Sequence, residues 1–147
     1  MTGSITLNKV ERDAMAAALD DEYISHELYQ QVIRDFGAVR PFINIVEPEA
    51  RHISALLALF EHYGIAPSEN RWSGRAPHLA SVHDAFVAGV QGEIDNVALY
   101  DRLVGSTQRP DILGVYYALR GASQDRHLPA FQRCVERGAS EGGVRRA

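Results

Sequence analysis

One cysteine, Cys134, is all the thiol chemistry this chain offers, so an internal disulfide and a thiolate metal cage are both excluded. Long apolar runs are missing too: no stretch reaches the roughly 18 apolar residues a membrane helix needs. The first residues, MTGSITLNKVERDAM, lack the basic and then apolar pattern of an export signal. The expected location is therefore the cytoplasm. Basic residues are not clustered; 15 Lys and Arg are scattered among 19 Asp and Glu for a net charge of −4, which argues against a phosphate-tracking surface and a nucleic-acid partner. Alternating strand patterns are absent, as are solenoid repeats.

What the 147 residues do contain is helical periodicity, with 46% hydrophobic residues, enough for one core. A first helix is predicted from about Lys9 to Phe36, with Met15, Leu19, Glu22, His26, Tyr29, Ile33 and Phe36 in one stripe and Gly37 as its cap. The short link AVRP leads to a second helix opening at Pro41 and stopping at Gly64, with Ile45, Glu49, His52, Leu56, Leu59 and Tyr63 in register. Pro48 inside it signals a kink or a later helix start. Gly64 to Ser81 reads as a loop that Trp72 pins to the helices. A third helix covers about Val82 to Val104, and a fourth about Asp111 to Arg137 with Tyr116, Leu119, Ser123, His127, Ala130 and Cys134 along one side. One domain, residues 1–137, and a disordered tail, residues 138–147, are expected. Two short links make two antiparallel hairpins, and the long loop can run the length of the bundle, so the fold class is an all-α four-helix bundle with a crossover between its second and third helices.

Five polar residues break the apolar stripes: Glu22, Glu49 with His52, Glu93, and His127. Taken singly, each has an ordinary explanation, a boundary carboxylate reaching solvent or a hydrogen-bonded core imidazole. Their joint occurrence at similar depth on four helices is less ordinary. Three buried carboxylates would repel one another, and a divalent cation is the most effective neutraliser. Glu49 and His52, three residues apart, share a helix face and can reach one ion or adjacent ions. His26, Tyr29 and Tyr100 are expected around this set rather than in it, while His62, His78 and His83 belong on the surface and Glu47 on the far side of its helix.

Four segments, EYISHELY, FINIVEPEARHISALLALFEHYGI, GVQGEIDNVALYDRL and RHLPAF, give the chain from about Ala17 to Phe131 a resemblance to the ferritin-like, rubrerythrin-related superfamily, and within it to small ferritin-like domains of unassigned function. The resemblance implies a ferritin-like bundle holding a carboxylate-bridged metal pair, iron typically, manganese or zinc in some members. Glu22 would be the first helix's ligand, Glu49 the bridge, His52 terminal, and Glu93 and His127 the ligands of the third and fourth helices. Two positions depart from that pattern. Gln124 stands where a second Glu-x-x-His would have its carboxylate, and Asn96 is an amide where the group tends to have an acid. One firmly held ion is thus expected more readily than two. The implied activity is reaction with dioxygen or hydrogen peroxide, as a peroxidase, ferroxidase or oxidant sensor, with a separate electron donor because one cysteine cannot build a cysteine-ligated iron domain. The rivals are a non-enzymatic bundle with a vestigial site, acting in interaction or stress, and metal storage or delivery. No sequence sign of cage contacts supports a storage shell, and a homodimer remains open.

Overall fold

Helix ends are written into the sequence as caps. Asn8 accepts from the Glu11 backbone N–H at 2.8 Å while the Glu11 carboxylate accepts from the Asn8 N–H at 3.1 Å, a reciprocal box that starts α1, Lys9–Phe36. Gly37, at φ 89°, lets its N–H return to the Ile33 carbonyl at 2.8 Å and ends the helix. The computed structural model of the protein describes residues 6–146, with side chains through Gly138. In it α2 spans Phe42–His62, α3 Val82–Leu103, α4 Pro110–Ala122 and α5 Leu128–Arg146. Ser81 caps α3 by accepting from the Asp84 N–H at 3.0 Å, and Pro110 occupies the first turn of α4, where no N–H is needed. No strand occurs among the described residues, so the all-α class is met.

Two features of the fourth rod differ from the periodicity, whereas α2 runs as expected. Pro48 lies inside a continuous α2, so the helix does not start late. The fourth rod is not one α-helix: a π-helical turn, Ser123–His127, joins α4 to α5. Its last part continues to Arg146 rather than stopping at Arg137. As for the expected disordered tail, Ala147 and the side chains from residue 139 onward lie outside the described residues.

The hairpins and the crossover follow from who touches whom. Along α1 and α3, Tyr29 meets Glu93, Glu22 meets Tyr100 and Glu11 meets Thr107, so the two helices run antiparallel. The 63–81 connection lies along α1. Arg71 and the Trp72 indole both donate to Asp20 at 2.9 Å, Asn70 donates to Glu27 at 3.1 Å, and His78 sits 2.8 Å from Asp35. Trp72 therefore does pin the loop, and the loop climbs α1 from Asp20 to Asp35 to deliver α3 at the far end.

Two apolar layers fill the interior. One gathers Met15, Leu19, Leu56, Tyr100 and Tyr116; the other gathers Tyr29, Phe42, Ala85 and Phe131. Phe131 packs on both Tyr29 and Phe42, with ring centroids 5.4 and 5.1 Å away. Gly89 of α3 permits this close approach: a Cβ there would stand 2.7 Å from the buried Phe131 ring. Gly89→Ala is therefore expected to lower unfolding free energy by about 1–3 kcal/mol through overpacking, measured by denaturant titration. A change within experimental error would show that the Phe131 ring has room to retreat.

Candidate metal centre

Between the two apolar layers each of the four rods contributes a polar side chain. α1 supplies Glu22, α2 supplies Glu49 and His52, α3 supplies Glu93, and the π turn supplies His127. Glu22, Glu49 and Glu93 are each 1% exposed and His127 is 4% exposed, burial that ionised groups tolerate only when neutralised. All five residues singled out in the sequence converge. Glu22, Glu49 and His52 form one group of ligand atoms, and Glu49, Glu93 and His127 a second, the atoms of each lying within 4.8 Å of one another. Glu49 belongs to both groups. His127 Nδ1 lies 3.3 Å from Glu49 and 3.2 Å from Glu93, while His52 Nδ1 lies 3.5 Å from both Glu22 and Glu49. The imidazole rings run nearly parallel, 22° apart, with centroids 5.8 Å apart.

Neighbours fix how the carboxylates point. The Tyr29 hydroxyl donates to Glu93, and the Tyr100 hydroxyl to Glu22 at 2.7 Å. Asn96 donates to Asp21 at 2.6 Å and to Glu22 at 3.4 Å, and accepts from Ser123 at 2.7 Å. Asn96 thus orients the Glu22 side of the centre, its amide engaged by Asp21, Glu22 and Ser123. Two atoms are left over: Glu49 Oε2 and His52 Nδ1 are fully buried and have no hydrogen-bond partner. An acceptor and an imidazole nitrogen facing each other without a hydrogen bond are the arrangement a cation completes.

His127 and Ser123 lie on the inner side of the fourth rod as expected, and only Gln124 departs from the reading of the sequence. Gln124 is exposed, so it does not weaken a second Glu-x-x-His. The π turn widens the coil by a residue per turn, which brings the position four before His127, not three, onto the inner face. Ser123, 2% exposed, occupies that place. Asp21 was also missed; its only sequence signal is adjacency to Glu22. His26 is half-buried outside both groups, and His62, His78 and His83 are exposed as expected.

Protons balance the cluster's charge. Burial pushes the Glu22 carboxyl up to about 8, and the charge of Glu49 pushes the same way. Burial would depress His52, but the carboxylates of Glu22 and Glu49 outweigh it and raise the imidazole to about 10; Glu49 and Glu93 do the same for His127, to about 9. Glu49 is also pressed upward by burial, yet the close approach of Glu22, His127 and His52 holds it below the ordinary 4.5. Burial lifts Asp21 to about 6, with the Asn96 donor opposing and the charge of Glu22 adding.

Fold and cluster together define the class: an all-α helical bundle with a buried carboxylate–histidine centre suited to metal ions. No family model matches the chain, and no curated protein matches it. Among solved structures it is similar to a hypothetical protein from Methanococcus jannaschii DSM 2661, with a TM-score of 0.82 over 95% of this chain and 87% of that one. At 21% identity that likeness shows the fold alone.

The raised groups set a pH dependence for the metal-free protein. Both imidazoles are protonated in the fold well above the ordinary 6.5, and Glu22 well above 4.5, so the folded chain holds more protons than the unfolded one across this range. Stability from the imidazoles is complete below about pH 6.5 and is lost as pH rises through about 9 to 10. Chelator-treated protein is expected to lose on the order of 5 °C or more in melting temperature between about pH 6.5 and 9. A flat profile would mean neutral imidazoles.

Proposed function

We propose that the protein is a ferritin-like, non-haem metalloprotein whose centre holds one or two divalent ions, iron first and manganese or zinc as alternatives, and that it reacts with dioxygen or hydrogen peroxide. The observation that carries this reading is the pair of ligand groups sharing Glu49, with Glu49 Oε2 and His52 Nδ1 buried and unpartnered at their junction. The donor set fits. Carboxylate oxygens and imidazole nitrogens are the ligands that first-row divalent metals accept, and the mixture suits iron, manganese or zinc. Glu22 and His52 would hold one ion, Glu93 and His127 the other, with Glu49 between them.

When bound in its reduced form, iron supplies electrons for reducing an oxygen species. The chain's own residues bind and orient. Tyr29 and Tyr100 hold Glu93 and Glu22 by their free oxygens, and Asn96, braced by Ser123, restrains Glu22 further. Before a metal binds, His52, His127 and Glu22 carry protons, which loading must displace. Turnover would need a separate electron donor, since Cys134 is the chain's one thiol.

The proton balance of the metal-free cluster gives one rival its footing: a non-enzymatic bundle can keep these groups for fold specificity, the site being vestigial. Metal storage or delivery uses the same ligands without redox turnover. Protein from iron- or manganese-supplemented cultures, dialysed exhaustively, is expected to retain one to two ions per chain by elemental analysis. Because Glu49 serves both groups, Glu49→Gln is expected to abolish retention, while Glu22→Gln and Glu93→Gln each remove one group. Well under one ion per wild-type chain, or full retention by Glu49→Gln, would sink the metal reading. Loading is also expected to raise the melting temperature, by an amount worth about 2.7 kcal/mol at a metal concentration 100 times the dissociation constant. The vestigial rival expects no shift.

A further inference from the structure

A cleft of about 450 Å³ opens between α2 and the rod formed by the π turn and α5, and His127 lies in its wall. The volume is in the range of small-molecule sites. Its cationic lining is not accounted for by the metal centre. Arg51, Arg126 and Arg133 all border it, together with Asn44, Pro48 and His127. Arg51 is paired with Glu47 at 3.2 Å. Arg126 and Arg133 are exposed and have no ion pair or hydrogen bond among the described residues. Two unpaired guanidinium forks on the wall of one cavity, in a chain of net charge −4, are concentrated against the overall trend. Guanidinium groups bind carboxylate and phosphate oxygens in bidentate fashion. The wall also carries hydrogen-bonding capacity from α2: Pro48 has no N–H, which deprives the Asn44 carbonyl of its helical partner, and the Asn44 side chain borders the same space.

We propose that this cleft is a binding subsite for a small organic oxyanion, a carboxylate or a phosphate ester, held by Arg126 and Arg133 and brought against the centre at His127. The inference rests on the metal reading for its second half only; the anion site itself stands on the cleft and its arginines. His127 is the one residue common to the cleft and the ligand groups, so an anion seated on the arginines lies beside the Glu49, Glu93 and His127 half of the centre rather than the Glu22 half. The substrate or effector would thus be a small molecule bearing an oxyanion, in addition to any oxygen species.

Isothermal titration of the full-length protein with succinate and, separately, with inorganic phosphate tests the anion site, and the two probes distinguish carboxylate from phosphate recognition. At least one is expected to bind with a dissociation constant below about 1 mM at low salt. The paired variant Arg126→Gln/Arg133→Gln is expected to weaken that binding about 10-fold or more, while Arg75→Gln/Arg102→Gln, an equal charge change at exposed positions outside this cleft, leaves it within about 2-fold. Binding of neither probe, or equal weakening by both variant pairs, overturns the subsite. Protein loaded with Co2+ tests the second half: the binding probe is expected to alter the visible Co2+ absorption, and the Arg126/Arg133 variant to abolish that change. Co2+ absorption unaffected by a bound anion separates the cleft from the centre. Absence of any Co2+ absorption defeats the metal reading instead, while the titrations still decide the anion site.

Discussion

Everything in this bundle is arranged around one costly placement, the Glu49 carboxylate buried at mid-height with an imidazole on either side. A lone carboxylate there would be protonated or pulled to the surface. It stays because His52 arrives from one turn further along the same helix and His127 from the opposite rod, while Glu22 and Glu93 complete the ring. Four helical rods must meet at one level for this to work. Their mutual register is set by that level, with one apolar layer above it and one below, so sliding any helix by a turn would strand a charge in an apolar layer. The 63–81 connection serves the same end. By running up α1 and fastening at Asp20, Glu27 and Asp35, it brings α3 in antiparallel to α1, with Glu93 and Tyr100 level with their partners.

Much of this was legible because a helix converts spacing into direction. Glu22, Glu49, His52 and Glu93 sit on apolar stripes of period 3.6, and that alone points them inward. The length of the loop between Gly64 and Ser81 indicated a crossing connection, since a hairpin needs only a few residues. Its fastenings were not legible beyond Trp72, because Asp20 and Glu27 look like any solvent-facing acids of α1 until the loop lies against them. Asp21 escaped notice for a related reason: its partner Asn96 is far away in sequence and close only once α1 and α3 pack.

The fourth rod failed instructively. Its inward residues are Tyr116, Leu119, Ser123, His127, Phe131 and Cys134, and the consecutive steps of four from Leu119 to Phe131 break the alternation of threes and fours kept elsewhere. That one-residue slip in phase is what a π turn produces. Read as a regular α-helix, the same segment turns Gln124 toward the centre and makes one half of the site look damaged. With the π turn in place Gln124 faces solvent and Ser123 braces Asn96, so the Glu93 and His127 half has a donor set matching the Glu22 and His52 half.

The two halves nonetheless differ in their surroundings. On the Glu22 side, Tyr100, Asn96 and Asp21 close a hydrogen-bonded wall; on the other side, Tyr29 secures Glu93 but His127 borders an open cleft. Both local departures from ideal helix geometry, Pro48 in α2 and the π turn before α5, lie along that cleft. Each weakens the regular backbone pairing of its helix. Irregular backbone kept on one side of an otherwise regular bundle, next to two arginines with no partner among the described residues, marks that side as the one shaped for access.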